Sequence, residues 1–321
     1  TVLLPNGNKM NLSASIGISW YPQDSVYFDF LKKYADFAMY QVKKSTKGNL
    51  AEFDKDLYED EKHDRQMHLE FYQLIEKEQL TYHFQPILSA KNGEIIAYEA
   101  LMRSQLATLK NPEMILRIAR EENKLEDVER ICIFKSTETF DQLRKNKLVK
   151  EDALLFINSI ASVSLNDEDR ERFHRYFSHI QSQIVVEVTE EENMSEEALI
   201  RKRETKGFSG MFALDDYGSG YNTEINLLNL SPKYIKIDLT IVRNIDKDFD
   251  KQQLVSNIVE YAHQREGYII AEGIETKEEL LKVLELGVDY LQGYYLSYPQ
   301  LNPQEVSNES IKTIENYWKK R

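Results

Sequence analysis

The chain has 321 residues, 41% of them hydrophobic, 11% aromatic and 30% charged; this suits two domains, or one large barrel with an appendage, and excludes a mostly disordered chain. Its 41 basic and 54 acidic residues leave a net charge of −13, which would repel a nucleic-acid duplex and excludes DNA as the expected partner. The one cysteine, Cys132, cannot form an internal disulfide, and no Cys/His spacing suited to zinc is present.

Cys132 lies in an apolar run with Ile131 and Phe134 and reads as a buried, inert thiol. No apolar run approaches the ~18 residues of a membrane span, and no signal peptide is visible. A first residue that is Thr and not Met reads as a fragment, expected in the cytoplasm, with any anchor lying upstream. The acidity still permits a small phosphate ligand where bound metal supplies positive charge.

Residues 12–19, LSASIGIS, predict a strand. Residues 28–44 carry the helical stripe Phe28, Leu31, Ala35, Phe37, Ala38, Tyr40 and Val42, and Gly48 is placed to end that helix. The segment reads as a hairpin plus one helix, a small α+β piece too slight for good stability alone. From Asp54 to Glu78 acidic and basic residues alternate without Pro or Gly, predicting a connecting helix with a solvated face.

From Thr81 the pattern changes. Short apolar runs recur at 82–87, 95–103, 154–159, 184–190, 211–217, 234–239, 268–274 and 290–296, separated by helical stretches. Continuous apolar runs predict strands buried on both faces, and alternation with helices predicts parallel βα units. Eight such units predict an α/β fold of the TIM-like (β/α)8 barrel type. The alternative is an open doubly wound sheet, disfavoured because no Gly-rich dinucleotide loop follows the first strand.

Chemistry in such barrels sits at the C-terminal strand ends, and here the ends are polar. Glu99 and Arg103, Asn158, Glu187 and Glu190, Asp215 and Asp216, Lys236, Glu272 and Glu275, and Gln292 come from successive runs. Any one of them could be a loop residue or helix cap. Acids converging from many strands must instead be neutralised, and hard divalent cations with oxygen ligands do this well. A donor set without His or Cys suits Mg²⁺ or Mn²⁺ better than Zn²⁺.

Neighbouring Asp215 and Asp216 can reach one site only where the strand ends or kinks, and Gly218 and Gly220 follow to free the backbone. One Asp could bridge two metals about 3.5–4 Å apart, an arrangement suited to in-line displacement at phosphorus. Alone, DDYGSG could also be just a turn. Lys236, inside the apolar run IKID, is either a structural ion pair or a lysine that orients or deprotonates water. Arg103 is placed to hold a phosphate oxygen.

Seven ordered motifs carry a resemblance: EALMR (99–103), FINS (156–159), EVTE (187–190), LDDYGSGYN (214–222), YIKID (234–238), IAEGIET (270–276) and LGVDYLQGYYLSYP (286–299). Together they resemble the EAL family of cyclic di-GMP phosphodiesterases, over about residues 68–305. The resemblance implies a barrel with one strand running against the others. It also implies hydrolysis of cyclic di-GMP to linear pGpG with two Mg²⁺ or Mn²⁺ ions, Ca²⁺ being inhibitory.

By motif, Glu99, Asn158, Glu187 and Asp215 are similar to the ligands of one metal, and Asp215, Asp216 and Glu272 to those of the second. Lys236 and Gln292 would position or activate water. Gln85, Leu101 and Arg103 resemble substrate contacts, and Tyr295 and Pro299 lie where the family packs a guanine. Glu190 resembles the glutamate that steadies the loop from Tyr217 to Thr223, and Glu275 is placed in the same support. That loop links the site to a homodimer interface in the family. Here Tyr217, Ser219 and the run Asn222-Thr223-Glu224 depart from the usual residues, which puts the dimer coupling in question.

Residues 1–53 resemble the C-terminal part of a GGDEF domain, through SASIGIS (13–19), YPQDS (21–25) and YADFAMYQVKKSTKG (34–48), without the signature loop that would make cyclic di-GMP. The expected organisation is therefore this segment, a linker helix over 54–67, and the EAL barrel over 68–321. Two other readings stand beside the active phosphodiesterase: a catalytically silent cyclic di-GMP receptor, and a barrel enzyme for other phosphoesters.

Overall fold

The computed structural model describes residues 2–3, 5–11, 13–45, 48–189, 211–218, 227–228, 230–303 and 306–320. The chain forms two compact units, Thr1–Glu70 and Phe71–Arg321.

In the first unit, strands β1 (Val2–Leu3) and β2 (Lys9–Met10) pair antiparallel. Strand β3 (Ile16–Ile18), helix α1 (Phe28–Ser45) and strand β4 (Leu50–Glu52) follow, with β3 and β4 parallel and α1 crossing between them. The expected hairpin plus helix thus gains a parallel strand, β4, too short at three residues for its periodicity to show. Gly17 is required in β3: an added Cβ would stand 1.9 Å from the carbonyl oxygen of Ala35 in α1. Helix α2 (Lys55–Lys77) starts where the Asp54 carboxylate accepts the Leu57 N–H and ends at Glu78, whose φ is 48°.

The second unit holds a closed eight-stranded barrel, as expected, and closure rules out the open sheet. Its strands are β5 (Leu80–Ser89), β6 (Ile95–Ser104), β7 (Leu154–Asn158), β8 (Ile184–Thr189), β9 (Met211–Tyr217), β10 (Tyr234–Ile237), β11 (Tyr268–Ala271) and β12 (Tyr290–Leu291). β5 runs antiparallel to both neighbours, β6 and β12, and every other pairing is parallel. The reason is local: only a tight turn through Gly93 joins β5 to β6, and so short a connection must reverse the chain.

Helices cover the outside. α3 (Pro112–Glu121) and α4 (Leu125–Lys145) lie between β6 and β7, and α5 (Asp167–Phe177) between β7 and β8. α6 (Leu239–Val242) and α7 (Phe249–His263) join β10 to β11, α8 (Lys277–Glu285) joins β11 to β12, and α9 (Asn308–Lys319) follows. α8 begins with a reciprocal cap: the Thr276 side chain accepts from the Glu279 N–H, and the Glu279 carboxylate accepts the Thr276 N–H.

Ile87, Ala97, Phe156, Val185, Ala213, Tyr234 and Ile270, one from each of seven strands, form an apolar cluster inside the barrel. Cys132 is buried, and burial pushes its thiol up to about 12, out of reach of ordinary thiolate chemistry. Among the described residues no helix is long and apolar enough to cross a membrane.

Candidate functional site

The polar residues are placed by the two-residue period of a strand. Side chains two positions apart face the same way, so the positions beyond the apolar cluster form the next layer up. Ala97 leads to Glu99, Phe156 to Asn158, Val185 to Glu187, Ala213 to Asp215, Tyr234 to Lys236 and Ile270 to Glu272. Ile87 leads to Gln85 in the opposite sense along the chain, because β5 is the reversed strand. Gln292 follows the same rule from Tyr290, which packs on the cluster's edge.

At the centre is Lys236, 1% exposed, with its Nζ 2.6 Å from Glu187 Oε1, 2.7 Å from Glu272 Oε1, 2.9 Å from Asp215 Oδ1 and 3.3 Å from Glu99 Oε2. Burial alone would lower its pKa, but the four carboxylates hold it well above the usual lysine value. The four carboxylates thus favour its charged ammonium form.

The carboxylates respond oppositely. Burial pushes Glu187, Asp215 and Glu272 up, with Lys236 pulling against it. Asp216 is pushed up to about 7 by burial and by Asp215. Glu99 alone is lowered: burial is overcome by Lys236 and by amide donors from Gln292 at 2.6 Å and Asn158 at 3.2 Å. Gln292 also donates to Gln85 Oε1, and Gln85 donates to the Ser297 carbonyl.

Asp215 and Asp216 both reach the site because β9 bulges. Ile235 pairs with Leu214 and Ile237 with Tyr217, so the two aspartates together oppose Lys236. The kink is at Asp216 itself, whose φ of 57° is left-handed, a conformation Asp tolerates better than most residues. Sequence reasoning located the kink in the following glycines, of which Gly218 is also left-handed.

Two carboxylate groups could each hold a cation: Glu99, Glu187 and Asp215, and then Asp215, Asp216 and Glu272, each with oxygens within 4.8 Å of one another. Asp215 is common to both. Five carboxylates against one ammonium leave a formal charge of −4, which two divalent ions would balance. Glu187 Oε2 and Gln292 Oε1, both buried, find no hydrogen-bond partner among the described residues. An all-oxygen donor set with a buried unsatisfied acceptor fits a hard divalent cation.

A cleft of about 240 Å³ opens onto the cluster between Gln85, Leu239, Glu275 and Tyr294. The other predicted residues lie around it. The Glu275 carboxylate is engaged by the Arg243 guanidinium at the rim. Arg103 donates to the Met102 carbonyl at 2.8 Å, and with Leu101 it lines a separate cavity beside the cluster. Tyr295 is half-buried, with its hydroxyl 3.2 Å from Glu309, and Pro299 lies near His83 of β5. Glu190, and the loop beyond Gly218, lie outside the described residues.

Tyr294 faces the cleft and stacks on Tyr298 with ring centroids 4.6 Å apart, both rings exposed. Sequence reading did not single out either residue. The available signal was that Tyr294 stands two positions beyond Gln292.

Residues 69–299 match the EAL domain family model, and the chain belongs to that family. It is 28% identical to a bifunctional diguanylate cyclase/cyclic di-GMP phosphodiesterase, MucR, of Pseudomonas aeruginosa, over 91% of this chain and 43% of that protein. It is 27% identical to the cyclic di-GMP phosphodiesterase NbdA of the same organism, over 92% of this chain and 38% of that protein. The chain thus spans less than half the length of these relatives. Among solved structures it is similar to the PaMucR phosphodiesterase in complex with c-di-GMP, at 26% identity and a TM-score of 0.62, covering 73% of this chain and 97% of that one.

Proposed function

We propose that this chain hydrolyses one phosphodiester of cyclic di-GMP to linear pGpG, using two Mg²⁺ or Mn²⁺ ions. The observation that carries the proposal is the sharing of Asp215 by two carboxylate groups, one buried and one partly buried, at the mouth of the barrel, in a family whose named relatives act on cyclic di-GMP. Glu99, Asn158, Glu187 and Asp215 would hold one ion, and Asp215, Asp216 and Glu272 the other. When bound, the pair would lower the pKa of water and offset charge on the phosphate oxygens.

The chain's own residues supply the rest. Lys236, an ammonium among four carboxylates, donates hydrogen bonds and orients the attacking water. Gln292 fixes the Glu99 carboxylate from the other side. The water oxygen bonds to phosphorus as the bond to the ester oxygen breaks; the water releases a proton to solvent, and the leaving oxygen takes up one in its place. Leu101, Arg103 and the stacked Tyr294 and Tyr298 offer apolar, cationic and aromatic surfaces suited to a guanine nucleotide. In this reading the segment 1–53 is the C-terminal part of a GGDEF domain and takes no part in hydrolysis.

The test is cyclic di-GMP turnover by the purified chain with Mg²⁺ or Mn²⁺, and with chelator. Metal-dependent pGpG is the expected result. Binding without turnover would replace the proposal with the silent receptor.

A further inference from the structure

Glu129 of α4 is 2% exposed and has no part in the chemistry above. Its carboxylate accepts the Ser159 hydroxyl on Oε1 and the Ile160 backbone N–H on Oε2, the latter at 2.9 Å. Those residues directly follow Asn158, the last residue of β7, whose amide donates to Glu99.

The packing around this turn explains why a carboxylate is needed. A cavity of about 260 Å³, lined by Tyr82, Cys132, Glu129, Asn158 and Ile160 among others, lies against the segment. Close packing therefore does not restrain it on that side. On the strand side the Ser159 N–H bonds the Glu187 carbonyl at 3.0 Å. Glu129 accepts from both Ser159 and Ile160, tying the turn to a helix packed on β5 and β7. A charged acceptor makes the stronger hydrogen bonds such a tether needs.

We infer that Glu129 is a positioning residue that aims the Asn158 side chain at the first cation site, acting through Ser159 and Ile160. The inference rests on the two-cation reading of the cluster. Residues that orient a metal ligand commonly change affinity by about 10–100-fold when altered.

The experiment measures Mn²⁺ affinity by calorimetry and by the electron paramagnetic resonance of bound ion, for wild type, Glu129→Gln, Asn158→Ala and the double variant. The expected result is about tenfold weaker binding in Glu129→Gln, and no further loss when it is added to Asn158→Ala. Ser159→Ala, which keeps the carboxylate and removes one bond, should show a smaller loss in the same direction, and it carries the test if Glu129→Gln does not fold. Wild-type affinity in a folded Glu129→Gln, or in Ser159→Ala where Glu129→Gln does not fold, would overturn the inference, as would losses that add fully in the double variant. If wild type itself bound no Mn²⁺, the two-cation reading would fall, and this inference with it.

Discussion

Gln292 and Glu99, 193 residues apart in the chain, meet at 2.6 Å across the reversed strand β5. The same amide nitrogen bonds Gln85 of that strand, so three adjacent strands are tied at one level of the barrel. Gln292→Leu removes both bonds and leaves buried acceptors on Glu99 and Gln85. We expect turnover of cyclic di-GMP to fall about 10–100-fold while the chain still folds. Turnover within twofold of wild type would show that Glu99 needs no such support.

Asp215 is the one carboxylate common to both candidate cation groups. Asp215→Ala should therefore abolish hydrolysis and lower the number of Mn²⁺ ions bound from two to none in a calorimetric titration. Glu272→Gln should remove only one. Identical stoichiometry in the two variants would contradict the sharing.

Lys236 offsets one of the cluster's negative charges and touches four of its carboxylates. Lys236→Met leaves three buried carboxylates, Glu99, Glu187 and Asp215, and the partly buried Glu272 without their ammonium, and losing one partner of a buried ion pair costs about 3–5 kcal/mol. The variant should melt well below wild type in chelator and recover stability as Mn²⁺ is added, since a ligand that binds only the folded chain stabilises it. A melting temperature that ignores Mn²⁺ would argue that the cluster does not hold the ion.

Asp216, with its pKa raised to about 7, must ionise to accept a cation. Protons therefore compete with metal below that pH, and affinity should fall by up to about tenfold per unit as pH drops from 7 to 5. Mn²⁺ titrations across that range give the slope, and equal affinity at pH 5 and pH 7 would refute it.

Away from the site, Asp141 in α4 is 5% exposed. Burial would raise its pKa, but Lys145 at 2.6 Å and His179 at 3.0 Å hold it below the ordinary value of 3.8. A depressed carboxylate contributes stability that is fully present above that value and lost as pH falls through the lower folded value. Urea denaturation should show wild type losing stability below about pH 4 more steeply than Asp141→Asn. Parallel slopes would mean the pair does not couple to folding.

Much of this architecture is legible along the chain because its signals are local. Eight apolar runs separated by helical stripes specify strands and helices, and the period of two puts Glu99, Asn158, Glu187, Asp215 and Lys236 on the same faces as the apolar residues two positions before them. The reversed β5 was implied by family resemblance and has its cause in the short turn through Gly93. Strand β4 escaped notice because three residues carry no period.

What the sequence by itself determined is therefore which side chains belong to one layer. Only the tertiary structure decided what that layer becomes. Closure brings Lys236 within 3.3 Å of carboxylates from four other chain segments, and the left-handed Asp216 turns two neighbouring aspartates toward one place. It puts Tyr294 at the cleft, commits Glu275 to Arg243, and leaves Arg103 beside a separate cavity. Distances between strand ends arise from barrel closure and from one backbone torsion, and a pattern along the chain encodes neither.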